Sequence, residues 1–78
     1  MSTRAQNEKR FDRWEELPGG GRRYRIDVQG KLGWLARYLK DVDASETTVR
    51  FWQEIYDDTG KLVEEHQKFP VDKGHQKV

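Results

Sequence analysis

The tetrapeptide Asp57-Asp58-Thr59-Gly60 constrains this chain more than any other feature. It separates two runs, residues 47–56 and 62–69, of which the first is rich in β-branched and aromatic side chains. Such side chains suit a pleated, half-buried surface. An aspartate opening the turn and a glycine able to take the left-handed conformation suit a tight reversal. Together they predict a β-hairpin in which Asp57 pairs with Lys61. Counting back sets Ile55 opposite Val63, Trp52 opposite His66 and Val49 opposite Phe69. One face then carries Val49, Phe51, Ile55, Val63 and Phe69, and this is the expected core. At roughly 1.5–3 kcal/mol per fully buried large side chain, these five form a main stabilising unit. The other face carries Arg50, Trp52, Glu54, Tyr56, Leu62, Glu64, His66 and Lys68.

Upstream, residues 22–28 alternate cleanly: Tyr24, Ile26 and Val28 point one way, and Arg23, Arg25 and Asp27 the other. This is the pattern of a half-buried strand. Gly30 is placed for a reversal. Residues 32–42 read two ways. As a strand, Trp34, Ala36 and Tyr38 share a face; as a helix, Leu32, Leu35, Leu39 and Val42 do. The strand reading allows a hairpin with Tyr24 opposite Tyr38, Ile26 opposite Ala36 and Val28 opposite Trp34. It also sets Arg25 against Arg37, which calls for an acid or an anion nearby. Nearer the N-terminus, Phe11, Trp14 and Leu17 recur at helical spacing, with Asn7 as the expected cap. The same stretch also reads as a strand paired with the one after Pro18-Gly19-Gly20-Gly21. That glycine run is a flexible turn; it lacks the Lys-Ser/Thr end of a phosphate-binding loop.

The expected fold is therefore mainly β: a small antiparallel meander of three to four strands, with a short N-terminal helix or extended segment. The alternative is an α+β domain with a helix at about 33–42. The expected organisation is a mobile tail at 1–8, one domain at 9–70 and a polar tail at 71–78. With 78 residues the chain has length for one domain, which buries only roughly 60% of its unfolded surface. The sequence holds no cysteine, so disulfides, thiolate zinc sites and thiol nucleophiles are excluded. A cysteine-free small domain fits a reducing cytoplasm. Residues 1–10 hold no apolar run of the kind a secretory signal needs, and no stretch has the length of a membrane span.

Net charge is +1, but it is unevenly placed. Residues 1–37 hold nine Lys and Arg against five acids, and residues 38–78 hold six against nine. Such a basic half suits an anionic partner, or equally the chain's own acidic half. The candidate binding residues are Arg23, Arg25 and Arg37 on one hairpin, and Trp52, Tyr56 and His66 on the other. Guanidinium groups suit phosphate and carboxylate, and aromatics beside cations make a stacking platform for single strands. The expected function is a small cytoplasmic binding or adaptor module, contacting nucleic acid or another protein through this arginine and aromatic face. One alternative is a metal-independent, toxin-like ribonuclease using His66 or His75, since imidazole exchanges protons near neutral pH. Another is a structural homodimer joined through the aromatic face. No catalytic pair, ligand frame for a metal or cofactor loop is legible, so no cofactor is expected.

Overall fold

The computed structural model describes residues 3–78. Within them run one helix, α1 (Arg4–Arg10), and six strands: β1 (Arg13–Glu16), β2 (Arg22–Gln29), β3 (Leu35–Val42), β4 (Thr48–Tyr56), β5 (Leu62–Phe69) and β6 (Gly74–Lys77). The strands form a single antiparallel sheet in sequence order. The mainly β expectation holds, with six strands in place of three or four. No helix among the described residues is long and apolar enough to cross a membrane.

Both expected tails carry regular structure within the described residues, 3–8 and 71–78; positions 1 and 2 of the first lie outside them. Thr3 caps α1 by accepting from the Gln6 amide, and the Gln6 side chain accepts from the Thr3 amide in return. This reciprocal box satisfies two N-terminal amides that otherwise lack partners. Asn7, the expected cap, lies inside the helix and is buried. The helical face proposed for Phe11, Trp14 and Leu17 does not form. Residues 13–16 instead pair with β2 across the Pro-Gly-Gly-Gly turn, Trp14 opposite Tyr24. At the other end, β6 adds to β5.

Residues 35–42 are a strand, so the helix alternative fails. The register with β2 differs by two residues from the expected one: Ile26 lies opposite Tyr38 and Val28 opposite Ala36. The cause is the turn. Reversal takes place on Leu32 and Gly33, both left-handed (φ 58° and 80°), rather than on Gly30. A shift of two preserves the faces, and it replaces the Arg25–Arg37 opposition with Asp27 opposite Arg37.

The Asp57–Gly60 turn forms as expected. The Asp57 amide donates to the Lys61 carbonyl and Gly60 is left-handed. The Asp57 carboxylate accepts from Thr59 and from the Lys61 amide, which hold it below the ordinary range. Two bulges then move the register beyond it. Tyr56 faces Leu62, but Ile55 faces Glu64 because Val63 is skipped, and Phe51 faces Phe69 because Lys68 is skipped. A one-residue slip sends each following side chain to the other face. His66 therefore lies opposite Gln53, not Trp52.

The expected core of Val49, Phe51, Ile55, Val63 and Phe69 is not the observed one. Phe11, Tyr24 and Val42 form the buried cluster, with Ile26, Tyr38 and Phe51 packed beside it. Phe69 stays 43% exposed and Val49 55%. The reason is coverage: one seven-residue helix shields only the β2–β3 end of a six-stranded sheet. A polar hub locks α1 in place. Glu46 accepts from Asn7 Nδ2 (2.9 Å), Tyr24 Oη (2.8 Å) and Arg4 Nε (3.2 Å), while Lys40 Nζ donates to Asn7 Oδ1 (2.9 Å). Every polar atom named here has a partner, as burial demands.

Candidate functional site

Strand pairing divides the expected binding residues between two faces. Arg23, Arg25, Arg37, Trp52 and Tyr56 share the face away from α1, here the arginine face. His66 lies on the other, the helix face, in the row Tyr38–Gln53–His66–His75.

On the arginine face the groups largely satisfy one another. Arg23 makes two bonds to Asp41 (2.8 and 3.0 Å), and Arg37 two to Asp27 (2.9 and 3.2 Å). These bonds raise both guanidinium groups above their ordinary range and hold Asp27 below its own. Trp52 is only 4% exposed. The guanidinium carbons of Arg50 and Arg23 lie 4.1 and 5.3 Å from its ring centroid, so cations already occupy its surroundings. Tyr56 donates to Glu54 (2.8 Å) beneath Arg37. Burial and that bond push the phenol up. A groove of about 380 Å³ runs past Arg13, Trp14, Glu15, Arg23, Arg25 and Leu39. Its positive field is reduced by Glu15, by Asp41 on Arg23, and by Asp27 at 3.9 Å from Arg25.

The helix face has the opposite character. Two adjoining clefts of about 230 and 270 Å³ share Arg10, Phe11 and Phe51. The first continues to Lys40, Thr48 and Phe69, and the second to Ile26, Tyr38 and Lys68. Together they form a trough with four aromatic rings and three cations, and among the described residues no carboxylate lines it. Tyr38 and Phe51 stack with centroids 6.4 Å apart. Lys68 Nζ lies 5.2 Å from the Tyr38 ring and 5.7 Å from Phe51. The bulge at Lys68 brings that ammonium over the rings. Burial and the charge of Arg10 push the Lys40 ammonium down.

Sequence reasoning missed this trough because its parts come from four separated segments: the end of α1, β2–β3, β4 and β5. The available signal was the aromatic content of positions 11, 38, 51 and 69, of which 51 and 69 belong to the expected core. Among the described residues no cluster of three or more histidine or acidic side chains is arranged to hold a metal ion. The fold and the trough define a class, a single-layer antiparallel meander with a basic aromatic groove beside its one helix. Comparison with protein-family models, with curated proteins and with solved structures found no match.

Proposed function

We propose that this chain is a small module that binds single-stranded nucleic acid along the helix face. The observation that carries the reading is the trough, where Phe11, Tyr38, Phe51 and Phe69 lie beside Arg10, Lys40 and Lys68 without any lining carboxylate among the described residues. Unpaired bases offer flat faces to the open rings Tyr38, Phe51 and Phe69, with buried Phe11 as the floor, and each stacked base contributes about 1–3 kcal/mol. Arg10 and Lys68 meet the backbone, while buried Lys40 stays bonded to Asn7. Two phosphate contacts on a single strand imply a salt slope near −1.4 in log–log form, from about 0.7 per contact. The expected arginine-face contact gives way in this reading, because Trp52 is covered and Arg23 and Arg37 are each bound to an aspartate. A cytoplasmic setting, where RNA and exposed DNA strands occur, accompanies it.

Fluorescence anisotropy with labelled RNA and DNA oligonucleotides over a salt series tests the proposal. Phe69→Ala and Lys68→Glu should each weaken binding about tenfold, equivalent to roughly 1.4 kcal/mol. A flat signal at low salt rejects it. Weakening by Arg25→Ala with both trough variants silent would move the contact back to the arginine face.

A second reading is self-association through the helix face, favoured by Trp14, Val28 and Phe69, all left partly open to solvent. Sedimentation across a wide concentration range separates the two; a monomer throughout removes the dimer.

A further inference from the structure

On the helix face, beyond the trough, β5 and β6 bring the chain's two histidines together. Direct pairing of His66 with His75 leaves their ring centroids 4.5 Å apart. Each ring has one nitrogen on a carboxylate. His66 Nε2 meets Asp72 Oδ1 at 2.6 Å, and His75 Nδ1 meets Glu64. Asp72 is itself fixed by the Gly74 amide, and that bond and His66 hold its carboxyl below the ordinary range.

The two imidazoles differ in what remains. The second nitrogen of His66, Nδ1, is buried without a hydrogen-bond partner. His66 thus presents neither nitrogen to a ligand. His75 is different: its side chain is 56% exposed, and among the described residues nothing bonds its Nε2. A carboxylate on Nδ1 selects the tautomer that leaves Nε2 unprotonated and facing out. Lys77 lies two residues along the same strand face, opposite Glu64.

We infer that His75, oriented by Glu64, is a general base that cleaves RNA held in the trough. The inference rests on the strand-binding reading above and adds an activity to it. Strands are spaced about 4.8 Å apart, so His75 stands three strands and roughly 14 Å from Tyr38. A bound strand leaving the trough past Lys68 crosses His66 and reaches it. His75 Nε2 takes the proton of a ribose 2′-hydroxyl. The 2′-oxygen attacks the adjacent phosphorus, and the bond from phosphorus to the 5′-oxygen breaks. That oxygen takes a proton from water, and imidazolium returns its own proton to solvent. The products are a 2′,3′-cyclic phosphate and a 5′-hydroxyl end, with no water consumed and no metal required. Lys77 supplies positive charge for the crowded phosphorus. His66 is a positioning residue that supports the His75 ring from below.

The test uses the full chain with end-labelled single-stranded RNA, and with DNA and 2′-O-methyl RNA of the same sequence. All three should bind, and only RNA should be cut, yielding cyclic phosphate ends by mass spectrometry. His75→Ala should slow cutting about a hundredfold or more, the usual contribution of a positioned base, measured at saturating protein so that any change in binding is taken out. Added imidazole should partly restore His75→Gly but not His66→Ala. His75→Gln, in an exposed edge strand, guards against a folding defect. RNA that binds and stays intact overturns this inference and leaves the binding module standing. Cutting that is equal in His75→Ala and parent also overturns it. Absence of binding overturns both readings.

Discussion

Replacing Glu46 with alanine is the sharpest test of how this sheet is held together. Glu46 comes from the β3–β4 loop, yet it accepts hydrogen bonds from Asn7 on α1, from Tyr24 on β2 and from Arg4. Its removal leaves the Asn7 amide and the Tyr24 hydroxyl buried without an acceptor, Asn7 being 1% exposed. Each such orphan costs about 1–3 kcal/mol, so the loss should be roughly 4 kcal/mol. That is a large part of the total stability of a domain this small. Arg4, half exposed, can turn to water and adds little. The effect depends on pH in a defined direction. Burial raises the Glu46 carboxyl, but hydrogen bonds from Asn7, Tyr24 and Arg4 outweigh it, and the group ends below its ordinary value. Its contribution is therefore present above about pH 4.3, the value of an unfolded glutamate, and is lost as pH falls through the lower folded value. Urea unfolding followed by tryptophan fluorescence measures this at neutral and acid pH. The gap between parent and variant should narrow in acid. Glu46→Gln keeps one acceptor oxygen and should lose less. A neutral-pH loss under about 1 kcal/mol, or a gap that persists unchanged into acid, refutes the reasoning.

The other expectations follow from burial and backbone geometry. Trp52→Ala should cost about 3–5 kcal/mol and Phe51→Ala less, since Trp52 is the more buried of the neighbours; equal losses in urea melts would contradict the assignment. Leu32 is left-handed, 90% exposed and followed by a left-handed glycine, so Leu32→Asn should stabilise by about 0.5–1 kcal/mol, seen as a higher melting temperature. Gly21→Ala would put a methyl 2.3 Å from the Val42 carbonyl oxygen, and should destabilise at the upper end of about 1–3 kcal/mol in the same melts.

Local chemistry carried much of the fold. Alternation in residues 22–28, β-branched and aromatic content in 47–56 and the Asp57–Gly60 turn are properties of adjacent residues, and each appears where the sequence placed it. Thr3 and Gln6 also spell a capping box, a local signal that places the cap of α1 at Thr3, four residues before Asn7. The choice of covered face was of another kind. Alternation shows that Phe51 and Trp52 point apart, not which is enclosed. That is decided by contacts between distant segments: α1, held through Asn7–Glu46, covers part of the Phe51 face, while Arg23 from β2 and Arg50 lie over the Trp52 ring on the other. The candidate site depended on register in the same way. Skipping Val63 is a small local adjustment with no signature in composition, yet it moved His66 from beside Trp52 to the row of Tyr38 and His75. By itself, then, the sequence determined the β class, most strand positions and the turns, because those follow from backbone preference within a few residues. Only the tertiary structure decided the register, the buried Trp52, the aromatic trough and the histidine pair, because they arise where distant segments compete for the same surface.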